Sequence, residues 1–165
     1  MEKQFYSTIT NMINCAITAY EELLELYEEK KQALLKADKE MLAKTDEKII
    51  VHVKTITGLN EQREKYCKEN GIETVKITEL IDLAKQDMPE FEPELEKQKV
   101  KIREVADKIA LVDNANVELI KHSLTMSDKL LDIIMSAAMP QKENYDRHGK
   151  NIESELSIGS IVEDA

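Results

Sequence analysis

The chain has 165 residues, with 23 Lys+Arg against 33 Asp+Glu and a formal charge of −10. That length accommodates one domain or one elongated bundle, and a net-acidic chain with no basic cluster repels phosphate backbones, which argues against nucleic acid as a partner. Four Gly, three Pro and no Trp, in a background rich in Glu, Lys, Leu, Ile and Ala, is the composition of helical bundles and coiled coils. No apolar run reaches membrane-spanning length and Met1 to Phe5 opens no secretory h-region, so the chain reads as cytoplasmic with no membrane insertion. Cys15 and Cys67 lie far apart with no CxxC or His neighbours, which predicts free thiols and no metal site.

The first predicted helix covers about 3–36, on a heptad-like stripe of Ile9, Ile13, Ala16, Tyr20, Leu23, Tyr27 and Leu34, widened by Ile17 and Leu24. Asp38 then has the place of an N-cap, its carboxylate accepting the free amides that open a second helix. Leu42, Ile49, Ile56 and Arg63, with His52, Leu59 and Tyr66, carry the period on to Asn70-Gly71, a natural helix stop. A connection of two or three residues around Ala37 makes these helices an antiparallel hairpin. Gly58, inside the second helix, either lets another helix approach closely or is simply tolerated. Between Gly71 and Pro93 the pattern predicts one short helix, 79–85, capped by Thr78. A loop over 88–93 follows, because each proline disfavours helix at the residue before it.

From about Glu94 to Ala138 there is no Gly or Pro, and apolar residues recur at alternating spacings of three and four. One seam is Leu95, Ile102, Ile109, Asn116, Ser123, Leu130 and Ala137; the other is Val105, Val112, Leu119, Met126 and Ile133. This predicts one helix, roughly 65 Å long, packed along the hairpin and parallel to its first helix. The expected fold is therefore all-α: an elongated antiparallel helical bundle or coiled coil over residues 1–140, with a short extra helix between the hairpin and the long helix. After Pro140, residues 141–165 are polar and broken by Gly149 and Gly159, which predicts a flexible C-terminal tail.

Catalytic signatures are lacking. A carboxylate di-iron bundle needs Glu-x-x-His pairs, but Ile49, Leu119 and Tyr145 stand three residues before the three histidines. No Gly-rich phosphate loop, HExxH or GxSxG occurs. The expectation is a protein without enzymatic activity or cofactor.

Asn116 interrupts the apolar seam. Taken alone it is a register device, a buried amide that pairs with another polar group and penalises misaligned packing. Its neighbourhood, Val112-Asp113-Asn114-Ala115-Asn116-Val117-Glu118-Leu119-Ile120, resembles the L-N-x-x-N-x-x-L-[LI] segment on the long helix of the FlgN-type flagellar export chaperones. Val112 stands at the leucine, Asp113 at the first Asn, Asn116 at the second, and Leu119-Ile120 at the closing pair. Tyr145 to Gly149 is similar to the family's Y-x-x-x-G element. Two departures are Asp113 in place of Asn and the basic pair Arg147-His148. The resemblance implies a bacterial cytoplasmic chaperone. It would hold the C-terminal helical segment of hook-associated (hook–filament junction) proteins, prevent their premature assembly, and deliver them to the cytosolic domain of the export gate. Tyr145 and Gly149 are the implied export-gate contact.

Periodicity supplies a client site of its own. Past Ile120 the long helix gains a second apolar stripe of Ile120, Leu124, Leu131, Met135 and Ala138, with Ile134 beside it. By parallel topology roughly ten residues outrun the hairpin's turn. Client binding is thus expected at Ile120, Leu124, Met126, Leu131, Ile134 and Met135, as an amphipathic helix laid in a groove. The tail, through Ile152, Leu156, Ile158, Ile161 and Val162, is expected to pack on the same stripe, in its own subunit or a neighbour, in place of the client helix. Two readings compete: a self-associating structural or regulatory coiled coil, and a chaperone for filament-cap or flagellin subunits. A monomer or weak homodimer that forms a 1:1 complex with a hook-associated protein separates the chaperone from the former.

Overall fold

A computed structural model describes residues 3–73 and 76–138. Among them are four α-helices and no strand: α1, Lys3–Leu35; α2, Lys39–Glu69; α3, Ile77–Asp87; and α4, Glu92–Ala138, entered through a 3-10 turn at Pro89–Phe91. The fold is all-α, as its composition predicts. The chain divides into two units, one ending at Leu124 and the other beginning at Thr125. No described helix is long and apolar enough to cross a membrane.

The hairpin forms where the turn chemistry places it. Asp38 N–H donates to the Ala33 carbonyl at 3.0 Å and Ala37 N–H to that of Leu34 at 3.2 Å, closing α1 in a Schellman motif. Ala37 occupies the left-handed position of that motif, with φ 52°. The Asp38 carboxylate accepts from Met41 N–H at 2.9 Å, so one residue both finishes α1 and caps α2. The same motif ends α2, with Ile72 N–H on the Cys67 carbonyl and Gly71 N–H on that of Lys68, each at 3.0 Å. There the left-handed residue is Gly71, φ 78°, which adopts it without a Cβ penalty. Side chains show the helices to be antiparallel: Lys30 meets Asp46 at 2.8 Å, His52 Nε2 lies 2.8 Å from the Ala19 carbonyl, and Phe5 stacks on Tyr66.

α3 starts earlier than its sequence signals suggest. Lys76, not Thr78, is its N-cap residue, and makes no side-chain cap bond. Ile77 packs against the core with Leu80, Ile81 and Ala84, and that burial outweighs the missing cap. Met88 is extended, φ −146°, as the residue before Pro89 should be. The expected loop after it tightens into the 3-10 turn. α4 then begins at Glu92 rather than Glu94, because Pro93 needs no N–H partner in a first turn.

Two apolar clusters hold the first unit together. One gathers Phe5, Tyr6, Ile9 and Ile13 of α1 with Cys67 and Ile72, with Leu80, Ile81 and Ala84 of α3, and with Leu95 of α4. Phe91 stacks on Tyr6 with ring centroids 5.6 Å apart. Burial raises the Tyr6 phenol above its ordinary 10.0, and Asp87 adds to the rise. The other cluster joins Ala19 and Leu23 to Ile49 and Ile56 of α2, with Ile109 of α4 packed against it. Gly58 has nothing within 4 Å of where a Cβ would stand, so no close helix approach explains it; it is tolerated there.

Candidate functional site: the long helix

Within the first unit α4 is pinned to α1 by two buried amides. Gln98 Nε2 donates to the Thr10 carbonyl and to Asn14 Oδ1, both at 2.9 Å. Asn116 Nδ2 donates to the Tyr27 carbonyl at 3.0 Å. Lys101 and Glu21 close an ion pair between them at 2.7 Å. The bonded partners rise together along both helices, so α4 runs parallel to α1. The amide bonds span 84 and 88 residues of chain at Gln98 and 89 at Asn116, so the two helices keep one parallel register to within about a turn.

Of the motif residues, Asn116 is 1% exposed, Asp113, Leu119 and Ile120 are half-buried, and all lie on the turns of α4 around the Tyr27 bond. Burial raises the Tyr27 phenol above its ordinary 10.0, and the Asp113 carboxylate raises it further. Asn116 therefore fixes α1 against α4, as the register reading anticipated. Gln98 does the same work and was missed. Its signal was its place, one heptad before Val105, where a polar residue looked like a gap in the seam.

Carried forward, the 89-residue offset of the Asn116 bond sets Leu35, the last residue of α1, near Leu124. Every residue from Lys121 to Ala138 is exposed. This corrects the seam derived from periodicity, which ran on through Ser123, Met126, Leu130, Ile133 and Ala137. Leu130 is 55% and Ile133 52% exposed, so neither is a buried seam position. The reason is length: at the offset of the Asn116 bond, α1 has come to its end at Leu35 by Leu124.

The expected client-binding residues fall on this bare stretch or at its edge. Ile120 is half-buried, whereas Leu124, Leu131 and Ile134 are each at least 60% exposed, with Met126 at 47% and Met135 at 54%. Leu130 and Ile133 are exposed as well, so within the second unit residues of both stripes lie open together. Fourteen residues of α4 lie in the second unit, 125–138, somewhat more than the roughly ten expected from topology. Tyr145, Gly149 and the tail's apolar residues lie outside the described residues.

Elsewhere the chemistry is spare. Among the described residues no three His, Cys, Asp or Glu side chains gather as a metal would require. His52 sits between α1 and α2, with Glu22 at 3.2 Å. Cys15 is exposed and Cys67 buried, both unbridged.

A family model described as FlgN protein matches residues 1–153. Neither a curated protein nor a solved structure matches the chain.

Proposed function

The chain belongs to the FlgN family of flagellar export chaperones, and from that premise we propose that its clients are hook-associated proteins, held by their C-terminal helical segment on the bare end of α4. The observation that carries this reading is the exposed apolar surface of Leu124, Met126, Leu131, Ile134 and Met135. A contiguous apolar surface of this kind marks a protein-binding site or an aggregation liability. Amphipathic client helices are recognised by laying their apolar face on such a surface. Two methionines give it adaptable packing. Covering it keeps an equally apolar client segment from assembling early.

Delivery to the cytosolic domain of the export gate falls, on the family resemblance, to the element after α4 that contains Tyr145 and Gly149. Tyr145→Ala should leave the client complex unchanged and weaken gate binding.

The test is calorimetric titration of the full chain with the C-terminal segment of a hook-associated protein from the same bacterium. Leu131→Asp and Met135→Asp should each weaken binding without loss of helicity, because a charge placed in a desolvated contact without a partner costs several kcal/mol. A stable homodimer that ignores the client, with binding lost nowhere, would favour the self-associating coiled coil.

A further inference from the structure

The width of the apolar arc on the last turns of α4 bears on what the client must look like, an inference that rests on the client reading above. At 3.6 residues per turn, successive side chains are about 100° apart around a helix. In the first unit the inward-facing residues Leu95, Ile102, Val105, Ile109, Val112 and Asn116 span an arc of roughly 100° on that geometry. That arc meets two helices at once. Gln98 and Asn116 bond to α1, while Ile109 packs with Ile49 and Ile56 of α2.

From residue 125 on, the same wheel places Ile133, Met126, Leu130, Ile134, Leu131 and Met135 over roughly 200°. All six are at least 47% exposed. On the wheel the narrower arc lies inside the wider one, so the apolar sequence pattern broadens on both sides past residue 124. A single amphipathic helix presents a stripe little more than 100° wide and would leave one side of this face in water. A second copy of α4 laid against it is likewise one helix and covers one side of the face.

Charge divides the two margins. Asp128 and Asp132, one turn apart and mutually repelling, border the Leu131–Met135 margin. Lys129 borders the Ile133 margin. We propose that the end of α4 binds two client helices, a helical hairpin that takes the places α1 and α2 hold upstream. The client helix on the Leu131–Met135 margin carries Lys or Arg at its rim, and the helix on the Ile133 margin carries Asp or Glu.

The experiment places a photoreactive benzophenone side chain at position 133 or position 135 of the full-length chain. Each protein is irradiated with the intact C-terminal domain of a hook-associated protein, and the crosslinked peptides are mapped. The expected result is two different helical segments, one from each position, the position-135 partner being the one with a basic rim. Ile133→Asp and Met135→Asp should each weaken the unlabelled complex at least tenfold. Crosslinks from both positions to one client segment, or sensitivity at one margin alone, overturn the inference while leaving the client reading standing. Crosslinks to a second copy or to the chain's own residues 141–165, or no complex with the wild-type chain, overturn both.

Discussion

Leu95 and Leu130 stand five heptads apart on one helix and occupy the same heptad position. Leu95 is 0% exposed and Leu130 is 55%. The residue type, the helix and the period are the same; what differs is whether another helix lies across from them. Near Leu95 the face of α4 is filled by α1 and α3, whereas the register that joins Asn116 to Tyr27 uses up α1 by Leu124. Periodicity states which residues share a face of a helix, and a neighbour's length decides whether that face is filled. The unfilled part is where a chaperone has apolar surface to offer.

The comparison is broken most severely by charge. Leu95→Asp should cost several kcal/mol and unfold the bundle, since a buried carboxylate finds no partner there. Leu130→Asp should change stability by no more than about 0.5 kcal/mol, as exposed substitutions usually do. Thermal denaturation followed by circular dichroism checks both, and equal losses would mean that the two stretches do not differ in the way described.

The amides come next. Asn116→Ala removes a buried hydrogen bond and leaves a small void, an expected loss of about 1–2 kcal/mol. Ser123 lies one heptad further along, is exposed, and its hydroxyl donates to the Leu119 carbonyl of its own helix. Ser123→Ala should therefore stay within about 0.5 kcal/mol. Denaturant midpoints at constant slope give both values.

Much of the first unit was legible because local chemistry and long-range packing agree there. Asp38 as cap, Gly71 as stop, the short hairpin connection and Asn116 on the seam each follow from a residue whose chemistry leaves few options. The end of the seam was not legible. The heptad pattern continues unbroken through Leu130 and Ala137, and nothing in those residues reports that α1 has stopped. Topology did indicate an overhang, but the register that measures it depends on Gln98, which a search for apolar residues passes over. The start of α3 was misplaced because Thr78 is a good capping residue, while the burial of Leu80, Ile81 and Ala84 decides the matter. The apolar stripe proposed for the client was legible as a pattern, but its full width appeared only once Leu130 and Ile133 proved exposed.

Smaller effects should come from the two helix ends built alike. Ala37 holds a left-handed conformation that Gly71 holds without strain, so Ala37→Gly should stabilise the bundle by about 1 kcal/mol. Asp38→Ala, which removes the bond to Met41 N–H, should cost about 1 kcal/mol. Both are read from melting curves.

Titration sharpens the same contrast between filled and bare surface. Burial raises the Cys67 thiol above its ordinary 9.0, with Arg63 opposing, and raises Tyr27 above 10.0. Each group binds its proton more tightly folded than unfolded. Its contribution is therefore complete below the unfolded pKa and is lost as pH rises through the folded one. Stability should begin to fall near pH 9, and Tyr27→Phe should flatten the part of the decline above pH 10. At neutral pH a maleimide should label exposed Cys15 quickly and Cys67 only on unfolding.

Hydrogen exchange tests the central claim most directly. In the free chain, amides of residues 125–138 should exchange far faster than those of 95–116, because exposed helix opens more readily than packed helix. Adding the C-terminal segment of a hook-associated protein should slow exchange across 125–138 at least tenfold and leave 95–116 unchanged. Protection that appears on α1 and α2, with 125–138 exchanging as before, would contradict the assignment of the bare end of α4 as the client site.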